Sequence, residues 1–294
     1  YDKIHSVIVA AIALAAALVT PRPCALAVPS PAISAPQWID INGVRIRYFT
    51  VGSGPPMLLL HGFGGSATNW FCVMEAFGTR FRVIAIDQMG FGASSKPKGQ
   101  YSADYLAQSA HAFMQKLKLE PAVVMGASMG GDVAARLAAR WPGNVEKLVL
   151  VDSSGLELEP RVTDMPRDPQ TLDEERELLV RIFTSKGFVT PALVRQRLST
   201  HLASHDSYTI HHWEGSDRRL EDLLPAIKAP TLVVWGADDP IWPPKTADEY
   251  AARIRGARIT VIPNAGHAPY LERPGMFAAA VMEFLSSHPT SNAK

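Results

Sequence analysis

The sequence predicts an α/β fold: a doubly wound, mostly parallel sheet with an N-terminal β-hairpin and an inserted helical cap. Three observations carry that prediction. Short runs rich in Val, Ile and Leu recur along the chain, as parallel strands covered on both faces require. Helical patterns separate those runs, so strand and helix alternate. The alternation breaks once, over residues 156–224, where charge and histidine rise, no strand pattern is evident and helical patterns take over.

The elements follow in order. Residues 1–27 read as a targeting segment, because Val7 to Val19 is unbroken apolar sequence, preceded by Lys3 and followed by Pro21, Pro23 and Ala25-Leu26-Ala27. That core falls short of the ~20 residues a membrane-spanning helix needs. It suits a signal peptide with a small-residue cleavage site, so cleavage after Ala27 and export to the periplasm or the medium are expected. An uncleaved membrane anchor is the alternative. Cys24 lies in the segment to be removed, which leaves Cys72 alone and no intramolecular disulfide expected. Residues 28–37 carry Pro29, Pro31 and Pro36 among small residues and read as an extended linker.

Next, Trp38-Ile39-Asp40-Ile41 and Val44-Arg45-Ile46-Arg47-Tyr48-Phe49 alternate on either side of Asn42-Gly43, the strongest short hairpin signal. Buried strands are predicted at Pro56 to Leu60, Arg82 to Ile86, Val123 to Met125, Val145 to Val151, Thr231 to Trp235 and Arg258 to Ile262. Helices are predicted at Ala103 to Leu117, Met129 to Trp141, Thr246 to Ile254 and Gly275 to Leu285. The core therefore comprises residues 38–155 and 225–288, and residues 156–224 form the cap, helical at Asp173 to Phe183 and Pro191 to His201. A chain of 294 residues has ample length for such a core.

A net charge of +1 with scattered Lys and Arg argues against nucleic acid or polyacidic substrates as partners. Gly90 and Gly92 do not make a phosphate cradle, since no Lys-Ser/Thr follows and no further glycine completes a dinucleotide fingerprint. His201, His205, His211 and His212 lie in the cap without a nearby cysteine or acidic residue to complete a ligand pattern, so they read as packing or surface residues and no metal is expected. No cofactor is expected either.

Chemistry enters at Gly126-Ala127-Ser128-Met129-Gly130. A serine between two glycines, directly after the apolar Val123-Val124-Met125 and ahead of an alanine-rich helix, is the pattern of a nucleophile elbow. The helix starting at Met129 points its positive end back at the serine oxygen. A serine hydroxyl attacks only when a base takes its proton and a third group holds that base in the right tautomer. Both follow in the order serine, acid, histidine: an acid from Trp235-Gly236-Ala237-Asp238-Asp239-Pro240, then His267 from Asn264-Ala265-Gly266-His267-Ala268-Pro269. Each loop follows a predicted strand, so all three converge at one sheet edge. Two backbone N–H groups complete an oxyanion hole, Met129 after the nucleophile and Phe63 in His61-Gly62-Phe63-Gly64-Gly65. His61 itself reads as packing behind that loop, hydrogen-bonded to backbone.

With these motifs, and with Asp87-Gln88-Met89-Gly90-Phe91-Gly92-Ala93-Ser94 and the Gly236 to Pro243 stretch, the chain resembles the α/β-hydrolase superfamily, in the serine-nucleophile branch of small carboxylesterases, C–C hydrolases and perhydrolases. The resemblance runs from about Trp38 to Leu285. It implies an α/β-hydrolase fold and Asp239, three after Gly236, as the orienting acid, with Asp238 and Asp152 as rivals; the loop at Asp87 is implied to be a structural turn. It also implies a small-molecule ester substrate cleaved through a Ser128–His267–Asp239 triad, with a membrane as partner only if the N-terminal segment stays uncleaved. A serine at the elbow sets aside haloalkane dehalogenases and epoxide hydrolases, which place an aspartate there. C–C hydrolysis of ring-cleavage products is the alternative activity; those enzymes share the Ser-Met-Gly-Gly run but carry a bulky Trp where this chain has Ala268. A perhydrolase or a non-catalytic ligand-binding relative ranks below it. Met165, Phe183, Phe188, Tyr208 and Trp213 are candidates for an apolar acyl pocket.

Overall fold

The computed structural model describes residues 30–157, 164–214 and 219–287. The predicted targeting segment and its cleavage site lie outside them, and among the described residues no helix is long and apolar enough to cross a membrane. The chain opens with β1 (Gln37–Ile41) and β2 (Val44–Val51), antiparallel about Asn42 and Gly43. Both turn residues take positive φ, 54° and 84°, the conformation that Asn-Gly supplies at least cost. Then come β3 (Pro56–Leu60), α1 (Phe71–Gly78), β4 (Arg82–Ile86), α2 (Ala103–Leu117), β5 (Ala122–Ala127), α3 (Met129–Arg140) and β6 (Val145–Val151). The inserted cap holds α4 (Leu172–Ile182), α5 (Pro191–Ser204) and α6 (Ser207–His211). The core closes with β7 (Thr231–Gly236), α7 (Lys245–Arg253), β8 (Arg258–Ile262), α8 (Pro269–Glu272) and α9 (Pro274–Ser286).

One eight-stranded sheet runs β1-β2-β4-β3-β5-β6-β7-β8. From β4 to β8 every neighbouring pair is parallel, while β1 pairs with β2 and β2 with β4 antiparallel. Period-two alternation sorts each strand between two cores. Leu58, Leu60, Val124, Leu148, Leu150 and Val233 face α2, α3 and α7. Met57, Leu59, Val123, Met125, Val149, Val151 and Val234 face α1, α8 and α9. Because both faces are covered, the middle strands have no polar side to show, which is why they read in sequence as plain apolar runs.

Three helices lie outside the predicted set: α1, α6 and α8. Helix α1 is apolar nearly all round, with Phe71, Val73, Met74 and Phe77 buried, so it has no polar face for a helical period to reveal. The other two are only five and four residues long. Cys72 on α1 is disulfide-bonded. That corrects the expectation of a lone thiol, which rested on removal of the segment bearing Cys24, the chain's only other cysteine, itself outside the described residues.

Candidate active site

The carboxyl ends of β3, β5, β6, β7 and β8 deliver His61, Ser128, Asp152, Asp239 and His267 to one edge of the sheet. Ser128 sits at φ 51°, ψ −121°, a conformation that a non-glycine residue adopts only under strain. The turn is tight enough that a Cβ on Gly126 would overlap the carbonyl of Gly130, and one on Gly130 would overlap that of Leu60. The flanking glycines are therefore steric requirements of the elbow. The Ser128 carbonyl accepts from the amides of Gly131 and Asp132 at 2.8 and 3.3 Å, which starts α3. As the first residue of that helix, Met129 carries an amide N–H with no partner inside the helix.

Asp239 is fully buried, and its Oδ2 lies 2.9 Å from His267 Nδ1. Its other oxygen, Oδ1, accepts from the amides of Ile241 (2.8 Å) and Trp242 (3.1 Å). With both amide donors on Oδ1, the carboxylate is locked in rotation and Oδ2 is aimed at the imidazole. Asp238, the neighbouring rival, points to solvent while its amide caps the loop on the Ala265 carbonyl at 3.0 Å. The other rival, Asp152, is fully buried at the end of β6 and accepts from the Gly236 amide at 2.8 Å. Burial and the Asp239 charge raise the Asp152 carboxyl well above the ordinary range. Asp152, Asp239 and His267 each present a donor atom within 4.8 Å of the others, close enough by distance to share a cation. Asp239 has its oxygens committed to two amides and an imidazole, so it has little left to offer a metal.

His61 packs as expected. Its Nε2 accepts from the Gln88 amide at 3.0 Å, so Nδ1 carries the proton and donates to the Gly62 carbonyl at 2.7 Å. Burial lowers its basicity, keeping this buried ring neutral. The loop it braces approaches the nucleophile closely, since a Cβ on Gly62 would stand 3.2 Å from Ser128 Cβ. Asp87 is the predicted structural turn: Oδ1 accepts from the Ala67 amide, Oδ2 from the Ala93 amide and Arg47 Nε, at 2.7 to 2.8 Å.

A cavity of about 420 Å³ opens over Ser128 and His267, lined by Phe63 and Met129 from the core and by Met165, Leu179, Phe183 and Trp213 from the cap. That volume suits a small-molecule ligand. Phe188 and Tyr208 do not line it; Phe188 packs edge-on against Phe183 at 4.6 Å and Tyr208 stacks on His212 at 4.0 Å, so both dock the cap on itself or on the core.

Two acidic residues that sequence left unnoticed hold this cavity together. Glu272 Oε1 accepts from the Gly266 amide at 2.7 Å, while Oε2 accepts from Thr184 and Ser185, so one carboxylate ties the histidine loop to the end of α4. The His267 amide adds a bond to the Ile182 carbonyl at 3.0 Å. Asp168, on the cavity-lining stretch from Met165 to Pro169, lies 2.8 Å from His201 Nε2 and 3.2 Å from His211 Nε2. An acidic partner for two of the cap histidines, His201 and His211, therefore exists 33 and 43 residues upstream, where local spacing cannot reveal it.

A family model matches most of the chain. The model for the alpha/beta hydrolase fold covers residues 55–274. The chain belongs to that family. As an alpha/beta hydrolase it resembles the 2-hydroxy-6-oxo-6-(2'-aminophenyl)hexa-2,4-dienoic acid hydrolase of Metapseudomonas resinovorans, 31% identical over 85% of this chain and 90% of the relative. It is also similar to a monoacylglycerol lipase of Homo sapiens, 27% identical over 87% of each chain. Among solved structures, a meta-cleavage product hydrolase from Pseudomonas fluorescens superimposes with a TM-score of 0.76 at 26% identity, over 85% of this chain and 97% of that one. A bacterial membrane phospholipase A gives the same TM-score, 0.76, and the same 26% identity, over 86% of each chain. The relatives thus span hydrolases of C–C and of ester bonds.

Proposed function

We propose that this alpha/beta hydrolase is a serine hydrolase that cleaves carboxylic esters through an acyl-enzyme. The observation that carries the proposal is the 2.9 Å contact of Asp239 Oδ2 with His267 Nδ1, held beside a strained Ser128 in one cavity. Asp239 keeps the proton on Nδ1 and leaves Nε2 free to act as base. His267 Nε2 takes the Ser128 hydroxyl proton as Oγ attacks the ester carbonyl, and the amide N–H groups of Phe63 and Met129 stabilise the resulting oxyanion. The alcohol departs with the proton from His267. Water then gives a proton to the same nitrogen, attacks the acyl carbon, and releases the carboxylic acid as Ser128 recovers its hydrogen.

C–C hydrolysis is the second reading, favoured by the dienoic acid hydrolase and meta-cleavage hydrolase among the relatives. Two features support the ester instead. A dienoate substrate brings a carboxylate into the cavity, yet Arg197 there lies 3.4 Å from the fully buried Glu175 and is already opposed by it. The second arginine on the lining, Arg167, is exposed. In addition, the residue after His267 is the small Ala268, buried on the cavity wall, where C–C hydrolases of the resembled branch carry tryptophan. Turnover of p-nitrophenyl esters of graded acyl length, set against a coloured ring-cleavage dienoate, tests the choice. Esters are expected to be cleaved and the dienoate spared. Ser128→Ala should abolish turnover, and undiminished hydrolysis by that variant would defeat the scheme. Export by the N-terminal segment belongs to the same proposal and is checked by sequencing the N-terminus of the secreted protein.

A further inference from the structure

The second buried carboxylate at the site has a role of its own. Asp152 is fully buried, its Oδ1 accepts from the Gly236 amide at 2.8 Å, and its Oδ2 has no hydrogen-bond partner. A buried carboxylate oxygen left unpaired is costly and calls for an explanation. Asp239 has the complementary vacancy. A carboxylate offers about four lone-pair positions, and on Asp239 two are filled by the amides of Ile241 and Trp242 and a third by His267. Both aspartates stand within 4.8 Å of each other and of the His267 ring nitrogen.

We propose that Asp152 is a positioning residue that donates a hydrogen bond from its own carboxyl group to Asp239, completing the set of donors that aims Asp239 at His267. One proton on Asp152 Oδ2 satisfies both vacancies at once. Two ionised carboxylates in this space would repel, and neither could supply the missing donor. Burial first, then the Asp239 charge, favour that proton; the Gly236 amide opposes it. The titratable groups around Asp152 are Asp239, His267, and Glu272 and Tyr270 of α8; the negative charge of Glu272 acts in the same direction as Asp239. The proton stays on Asp152 through the cycle, so this residue touches no reacting atom and works through Asp239 alone.

The inference rests on Ser128 and His267 acting as proposed above, so its test uses two readouts. The rate of covalent labelling by a fluorophosphonate, followed from acid to alkaline pH, reports the nucleophile. The Nδ1–H proton resonance of His267 reports the histidine–aspartate bond without any reaction. Rising pH eventually removes the Asp152 proton and turns attraction into repulsion, so in the native protein both readouts should decline together at alkaline pH. Asp152→Asn presents a permanent N–H donor in the same shape; it should label within about threefold of the native rate at its optimum, keep the resonance and lose the alkaline decline. Asp152→Ala leaves the Gly236 amide and Asp239 each short of a partner and should slow labelling by roughly ten- to a hundredfold. An asparagine variant as slow as the alanine variant would mean that the ionised form is needed and overturns the proposal. So does an asparagine variant that keeps the native alkaline decline in the resonance. Absence of labelling at Ser128 in the native protein, with the resonance behaving as stated, sinks the ester-hydrolase reading and not this one.

Discussion

Replacing Asp239 with asparagine exchanges one oxygen for an NH2 group, yet the structure predicts nearly complete loss of activity. Oδ1 of Asp239 accepts two amide N–H groups, from Ile241 at 2.8 Å and Trp242 at 3.1 Å. An asparagine carries one acceptor oxygen and one donor NH2. If the NH2 faced the two amides, three donors would meet in a fully buried site with no acceptor between them, at a cost of about 1–3 kcal/mol for each unsatisfied group. The oxygen must therefore stay with the amides, which turns the NH2 towards His267 Nδ1. That nitrogen must then accept instead of donate, so the proton moves to Nε2, the atom needed as base. A triad forced into that tautomer loses about 10⁴-fold in turnover, or some 5 kcal/mol of transition-state stabilisation. The assay is hydrolysis of a p-nitrophenyl ester by the folded variant, with thermal unfolding measured alongside. An Asp239→Asn enzyme within tenfold of native turnover would refute the tautomer argument and shift attention to Asp152 as the orienting acid.

The other predictions address the fold around the site. Gly126→Ala forces a Cβ onto the Gly130 carbonyl at the elbow and should destabilise the protein by about 3 kcal/mol or prevent folding, measured by urea unfolding. Burial raises the Asp132 carboxyl to about 6 against the attraction of Arg136. Between the ordinary value of 3.8 and that value the folded chain keeps a proton the unfolded chain has lost, so this group's contribution to stability falls as pH rises through that window. The fall is about 3 kcal/mol at most. Asp132→Asn removes that slope, and native and variant stabilities that run parallel across the window would contradict it. Burial pushes Asp168 up, but hydrogen bonds from His201 and Ser207 and the charges of His201 and His211 outweigh it and hold the carboxyl low. Its stabilising contribution is present above the ordinary carboxylate value and is lost as pH falls through the lowered one. Asp168→Ala should free the wall from Met165 to Pro169 and raise KM for long acyl esters about tenfold while leaving kcat nearly unchanged; an unchanged KM would show that the wall is held by other contacts.

What sequence could reveal, and what it could not, divides along the distance over which each constraint acts. The elbow is local as a pattern: two glycines, a serine and a helix start are neighbours, and Gly126 is required by its contact with Gly130, although Gly130 is required by the Leu60 carbonyl of a neighbouring strand. The hairpin at Asn42-Gly43 is local in the same way, as are the parallel strands, whose two buried faces leave only apolar residues to read. The bonds that tie the cap to the core, and those that hold the cap together, are not local. Glu272 reaches back 88 and 87 residues to Thr184 and Ser185, and Asp168 reaches forward 33 to His201 and 43 to His211. A glutamate in a four-residue helix and an aspartate in an irregular loop look in sequence like any solvated charge, and only burial shows otherwise. Asp152 belongs to both classes. Its place at the end of a buried strand marks it as a rival acid, but its relation to Asp239, 87 residues on, is a matter of two neighbouring strands ending at the same level of the sheet. The register of β6 against β7, with Val151 opposite Val234, brings Asp152 to the Gly236 amide and so to the Asp239 loop. Parallel pairing therefore turns an ambiguity between two acids into a single hydrogen-bonded unit, with one aspartate oriented on histidine and the other on the first.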